Sequence, residues 1–302
     1  MSKKYLIAVD SGHGMETAGK RTPKLTKDLY IDGKLVKKKG ETIKEKEFNK
    51  PTAEYLIKAL ERCGFNTINV SPGTSDISLQ ERVKKANNAG ADFFISKHYN
   101  ALDGTHFQSK AKGIVSIYNY GSTKGKKAAT LIQEELIKVH GGYSYGARAD
   151  KDISGFSLYV LKNTKMVSVL SESGFMDNVE EAERMLNPVF QKADAEATCK
   201  AICKYFEVKY VEEVKETVTE GKSKKVYRVI CGSYSVRDNA EDTINKLKKQ
   251  GYNSFIDIFK KDNKTFYRVV AGSYTIRENA DKIVKELKLK GFNPFVTFIL
   301  MD

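Results

Sequence analysis

Over residues 1–208, short continuous apolar runs alternate with longer stretches whose apolar positions recur at helical spacing, the pattern of strands interleaved with helices. YLIAVD (5–10), DFFISKH (92–98), GIVSIYNY (113–120), SLYVL (157–161) and MVSVLSE (166–172) read as strands. Amphipathic helices are predicted over Glu47 to Cys63, stopped by Gly64, and from a capping box at Ser78-Leu79-Gln80-Glu81 to Gly90. Two more are predicted over Lys127 to Lys138 and Asn187 to Phe206. That order predicts an α/β fold, a three-layer domain with a mostly parallel central sheet.

The end of the chain carries a repeat at an offset of 40 residues. Tyr227-Arg228-Val229-Ile230-Cys231-Gly232-Ser233-Tyr234 returns as Tyr267-Arg268-Val269-Val270-Ala271-Gly272-Ser273-Tyr274, and Asn239-Ala240, Gly251 and Phe255 return as Asn279-Ala280, Gly291 and Phe295. Each copy predicts strand, helix, strand, so residues 226–302 form a small α+β domain of βαββαβ order with one four-stranded sheet. Between the two domains, residues 209–225 are rich in charge and poor in apolar periodicity and predict a linker.

The chain has 52 Lys and Arg against 38 Asp and Glu, a formal net charge of +14 that favours a polyanionic partner. No zinc-finger, helix-turn-helix or RNP pattern accompanies that charge, so nucleic acid is not the expected partner; wall teichoic polymers are another polyanion. The longest apolar runs, such as Phe298-Ile299-Leu300-Met301, fall far short of the ~20 residues of a membrane span. Cys63, Cys199, Cys203 and Cys231 form no CxxC pair and read as small buried hydrophobes. A zinc pair at Cys199 and Cys203, one helical turn apart, is conceivable.

In a sheet of this kind, chemistry collects beyond the carboxyl ends of the strands. One strand ends in Asp10-Ser11-Gly12-His13-Gly14, another in Lys97-His98-Tyr99-Asn100, a third in Leu170-Ser171-Glu172-Ser173-Gly174. Glu45 stands at the entrance of the first helix. Two histidines and a carboxylate around an open position make the ligand set of hydrolytic zinc sites, and a further carboxylate is then needed to move the proton of the attacking water. His13, His98 and Glu45 can supply the first and Glu172 the second. From spacing alone, four unrelated polar strand ends read equally well. His106 and His140, in Gly-rich loops, read as surface histidines.

The set DSGHG, EKEFN, SLQERVKKANNAGADFFISKHYNA and LSESGFMDN, in this order over residues 4–206, resembles the zinc-dependent N-acetylmuramoyl-L-alanine amidases of autolysins and phage endolysins. The resemblance implies one zinc ion on His13, Glu45 and His98, with Glu172 as catalytic carboxylate. It also implies hydrolysis of the amide joining the lactyl group of N-acetylmuramic acid to L-alanine in peptidoglycan. The resemblance favours Glu45, because the family places its acid four residues before the Asn of its helix, here Asn49, with Glu41 and Glu47 as alternatives. The long Lys-rich insert after Ala18, with a hairpin turn at Asp32-Gly33, is similar to phage-type members.

The repeat YRVICGSY and YRVVAGSY resembles the SPOR domain, which implies binding to peptidoglycan glycan strands stripped of stem peptides. Strand alternation puts Val229, Cys231, Val269 and Ala271 under the helices and Arg228, Ile230, Arg268 and Val270 on the other face, a candidate glycan platform; binding by loops is the alternative. The start of the chain shows no cleavage signal, so synthesis in the cytoplasm and action on the wall after release are expected. A non-catalytic wall-binding protein and a zinc peptidase of stem peptides are the competing readings.

Overall fold

The computed structural model describes residues 4–301 apart from 32, 108, 109, 111, 142, 214–223, 253, 262 and 263. Two compact units result, Met1–Glu213 and Val214–Asp302. In the first, the elements run β1 (Leu6–Ser11), the hairpin β2 (Leu29–Ile31) and β3 (Lys34–Lys37), α1 (Lys46–Arg62), β4 (Asn66–Asn69), α2 (Leu79–Asn88) and β5 (Phe93–Asn100). They continue with β6 (Ile114–Tyr118), α3 (Thr123–His140), β7 (Ser144–Ala149), α4 (Asp150–Ser154), α5 (Tyr159–Asn163), β8 (Val167–Phe175), α6 (Val179–Arg184) and α7 (Pro188–Phe206). Asp32, half of the proposed hairpin turn, lies outside the described residues.

Six strands form one sheet in the order β4-β1-β5-β8-β6-β7. Every pairing is parallel except β6 with β8, so the sheet is mostly parallel. Alternation along the central strands splits the core in two. Ile7, Val9, Phe93, Ile95 and Val169 face α1, α3 and α7, whereas Ala8, Phe94, Val115, Ile117 and Leu170 face α2 and α5. Helices on both faces of a parallel sheet make the third layer and bury the strands on either side. The helix ends follow the local chemistry. Ser78 accepts the Glu81 N–H at the start of α2, Ser122 caps α3, and Gly141 closes α3 in the left-handed conformation. No helix among the described residues is long and apolar enough to cross a membrane.

The segment SLYVL, expected as a strand, contributes to the short helix α5. Val160 and Leu161 are both buried in the cluster facing α2, and one helical turn delivers these adjacent apolar residues there in a way that strand alternation would not. Residues 209–213, expected as the start of the linker, belong to the first unit. Tyr210 packs on the core, the Arg62 Nε–H donates to the Val211 carbonyl at 2.9 Å, and the Lys200 ammonium sits 4.9 Å from the Tyr210 ring centre. The expected linker residues 214–223 lie outside the described residues.

The second unit runs β9 (Lys224–Tyr234), α8 (Arg237–Lys249), β10 (Phe255–Lys261), β11 (Lys264–Tyr274), α9 (Arg277–Leu289) and β12 (Phe295–Met301). Its antiparallel sheet has the order β10-β11-β9-β12. Val229, Cys231, Val269 and Ala271 pack with Ala240, Leu247, Ala280 and Leu287 of the two helices. On the other face the register aligns Phe255, Val270, Ile230 and Phe295 in one row across all four strands. Ile230 and Val270 are 0% exposed, which corrects their expected role: they form the floor of the row and cannot themselves touch a ligand.

Candidate active site

β1, β5 and β8 are neighbours in the middle of the sheet, and the polar residues at their ends converge. As the chain leaves β1, the Gly12 N–H donates to the Lys97 carbonyl at 3.0 Å. A Cβ on Gly12 would stand 2.1 Å from the His98 ring, so only glycine lets the loop cross that ring. His13 follows in a left-handed backbone conformation, φ 58°. Its ring lies edge-on to that of His98, with centres 4.8 Å apart.

Glu45, immediately before α1, places its carboxylate between the two rings. Oε1 is 3.0 Å from His98 Nδ1 and Oε2 is 3.3 Å from His13 Nε2. The carboxylate is fixed from behind: Oε1 also accepts the Tyr99 N–H and an Asn49 amide N–H, both at 3.0 Å. Asn49 in turn donates to the Gly12 carbonyl at 3.1 Å, tying helix to loop. Glu172 on β8 is the register partner of His98 on β5, so the two side chains share a face of the sheet. Its Oε2 is shielded from solvent and has no hydrogen-bond partner. A buried carboxylate oxygen left without a donor calls for a group the protein chain does not provide.

The charges fit a cation. Burial opposes the charge of Glu45, but the hydrogen bond and charge of His98, with His13 adding, hold its pKa down to about 2. Burial, reinforced by the His98 charge, pushes His13 down to about 3. Burial opposes charge on His98, but the hydrogen bond and charge of Glu45 raise its pKa, so His98 and Glu45 share a proton that a bound cation would displace. A neutral imidazole and an ionised carboxylate are the forms that bind metal. Glu172 behaves oppositely: burial, with the Glu45 charge adding, raises it to about 7 against the pull of His98. A group titrating there can both accept and return a proton at neutral pH.

Of the alternatives, Glu47 pairs with Lys37 at 3.0 Å and Glu41 accepts the Lys38 N–H on the insert. Neither reaches the two rings. His106 is exposed, but His140 is buried at the end of α3 with Nε2 3.0 Å from Asp194 Oδ2, which corrects its expected place on the surface. Sequence reasoning also missed the polar frame behind the site. Asp10, on the α2 face of β1, pairs with Arg82 of α2 at 3.0 Å and accepts from Ser96 at 2.6 Å. Lys97, one residue before His98 and pointing to the opposite face, pairs with Asp194 of α7 at 2.7 Å and donates to Ser171 at 2.6 Å. Asp177 accepts the N–H groups of Leu102 and Asp103, shaping the loop at the rim. The signals were there in part: Asp10, Asn49 and Asp177 all lie inside the motifs quoted for the resemblance.

The four side chains open into a cleft of about 240 Å³ also lined by Lys20 and Asn100. A larger cavity of about 520 Å³, bordered by Val115, Tyr145, Arg148 and Phe175, adjoins it through Asn100, Ala101 and Leu102. Two imidazoles and a carboxylate at the carboxyl end of a mostly parallel sheet, with a second carboxylate beside them, are a donor set that could hold one divalent cation in a hydrolase-type cleft.

Comparison with known proteins makes this specific. The N-acetylmuramoyl-L-alanine amidase family matches residues 7–204, and the SPOR domain family matches residues 223–297. The chain belongs to the N-acetylmuramoyl-L-alanine amidase family and carries a C-terminal SPOR domain. N-acetylmuramoyl-L-alanine amidase LytC of Bacillus subtilis is 29% identical over 202 residues, a match covering 66% of this chain but only 35% of that protein. The endolysin of Bacillus phage SPP1 is 27% identical over 277 residues, covering 87% of this chain and 86% of the endolysin. The crystal structure of an N-acetylmuramoyl-L-alanine amidase from Clostridium difficile shares the fold of the first unit. Its TM-score is 0.56 at 24% identity, over 68% of this chain and 98% of that one.

Proposed function

We propose that this protein cleaves the amide between the lactyl group of N-acetylmuramic acid and L-alanine in peptidoglycan, with one zinc ion held by His13, Glu45 and His98. The observation that carries this reading is the convergence of those three side chains beside Glu172, whose shielded oxygen has no partner. When bound, zinc lowers the pKa of a water to ~7 and polarises the scissile carbonyl. Glu172 would take one proton from the attacking water while the water oxygen, not the carboxylate, bonds to the carbonyl carbon. As the carbon–nitrogen bond breaks, Glu172 returns the proton to the departing amine, freeing the N-terminus of L-alanine and leaving a lactyl carboxylate. Glu45, locked by Tyr99 and Asn49, keeps the two imidazoles on one centre.

Wall suspensions treated with the purified protein are expected to clear. A chelator should stop lysis and added zinc restore it, and mass spectrometry should find muropeptides split into lactyl-terminated glycan and stem peptides beginning with free L-alanine. Lysis that persists after chelation removes the metal reading. Cleavage within the stem peptide favours the peptidase alternative, and wall binding without cleavage favours a non-catalytic protein.

For the second unit we propose binding of the stripped glycan along the Phe255–Val270–Ile230–Phe295 row. Phe255 and Phe295, each about half exposed, offer flat faces to sugar rings, and Arg228, paired with Asp257 at 2.8 Å, and Arg268, stacked over the Phe259 ring, frame the row. Amidase action exposes a carboxylate on each stripped lactyl group, and a guanidinium released from its present partner would suit it. Pelleting with stem-peptide-free sacculi should fall several-fold in a Phe255→Ala/Phe295→Ala variant; unchanged pelleting would move binding to the loops.

A further inference from the structure

Away from the catalytic cleft, three of the four cysteines meet where the end of α1 abuts α7. Cys63 is the residue at which α1 stops, and Cys199 and Cys203 lie one turn apart on α7, which sends both thiols from the same side of that helix. All three are buried and free of disulfides, and their sulfurs lie within 4.8 Å of one another, with Cys63 and Cys199 3.7 Å apart. Sulfurs bound at about 2.3 Å to one tetrahedral cation stand about 3.8 Å from each other, a spacing that Cys63 and Cys199 already meet and that the third sulfur reaches by a small shift.

Burial raises the Cys63 thiol and the Cys203 hydrogen bond with burial raises Cys199, whereas Cys203 is lowered, so a cation held here displaces the thiol protons of the first two. The Val211 N–H donates to Cys63 Sγ at 3.3 Å, the kind of outer bond that steadies a ligating sulfur. The Val211 carbonyl accepts the Cys63 S–H at 3.7 Å and the Arg62 Nε–H at 2.9 Å, tying the segment after α7 to the cluster. The Arg62 guanidinium, held by the Val211 carbonyl and paired with Glu196, closes the cluster from the side as half of an ion pair. Three thiolates around a dication leave a single negative charge; around a monovalent ion two would remain to be buried.

We propose that Cys63, Cys199 and Cys203 form a second, structural site for one divalent thiophilic cation of the zinc class, separate from the His13, Glu45 and His98 centre. Such an ion clamps the end of α1 to α7 and fixes the segment 208–213 that covers both. The inference is independent of the amidase reading, because none of these residues touches the catalytic cleft.

The test uses the full chain, reduced and stripped with a chelator, then titrated with Cd2+, whose thiolate complexes absorb in the ultraviolet. A sulfur-to-metal band that saturates at one ion per chain and is reversed by Zn2+ is expected. The band should persist in a His13→Ala/His98→Ala variant and in Cys231→Ala, and vanish in Cys203→Ala. Should Cys203→Ala fail to fold, thiol labelling of the wild-type chain decides, with Zn2+ expected to protect three of the four cysteines. Absence of the band, its survival in folded Cys203→Ala, uptake of Cu(I) but neither divalent ion, or isolation with Cys63 and Cys199 already joined as a disulfide would each overturn the proposal.

Discussion

Glu172→Gln is expected to lower turnover on peptidoglycan by ~10²–10⁴-fold, the usual contribution of a general acid–base group, while leaving fold and bound zinc intact. The glutamine keeps the shape of the side chain on β8 but can neither take a proton from water nor hand one to the leaving amine. The pH profile separates this role from a structural one. With Glu172 near 7 in the metal-free chain, and lower once a cation sits beside it, wild-type activity should rise through an acidic limb with a midpoint at or below about 7. The variant should lack that limb. Clearing rates close to wild type, with zinc content unchanged, would exclude Glu172 as the acid–base group.

The second large effect concerns stability. Lys97→Met removes the partner of Asp194 from a pair in which both side chains are 0% exposed, leaving a buried carboxylate supported by His140 alone. Breaking a buried pair from one side costs about 3–5 kcal/mol, which in a domain of this size lowers Tm by roughly 10 °C. The sign with pH follows from the pair. Burial opposes ionisation of Asp194, but Lys97 and His140 outweigh it and hold its pKa below the ordinary aspartate range. The stabilisation is therefore complete above the unfolded value of ~3.9 and is lost as pH falls through the lower folded value. Calorimetry should show the gap between wild type and variant widest near neutral pH and narrowing in acid. An equal Tm for the two at pH 7 would mean that the pair contributes nothing net.

The same pair marks where the sequence stops being readable. His13, His98 and Glu172 could be found because each follows the apolar run of a strand, and a polar residue at that point has few structural uses. Glu45 needed the motif, since Glu41 and Glu47 sit in the same charged stretch and only the fold shows which one enters between the rings. Lys97 and Asp194 left no trace in the pattern: a lysine at a strand end and an aspartate on a helix normally mark solvated positions, and their burial depends on a partner about a hundred positions away. SLYVL misled for a related reason. Its β-branched and aromatic composition suits a strand, yet the requirement to bury the adjacent Val160 and Leu161 together overrides that preference. The repeat was the most legible feature, because a 40-residue period states twice which residues face the helices.

That period has a consequence for direction. Phe255 and Phe295 occupy equivalent places in the two halves, so in outline the aromatic row looks alike from either end. The halves differ in electrical character: Asp257, which holds Arg228 at 2.8 Å, has the uncharged Thr297 as its counterpart. A polymer with a reducing and a non-reducing terminus would thus meet a phenylalanine at either end whichever way it lay, and the uneven charge, with Phe259 standing where the other half has Ile299, could tell one orientation from the other.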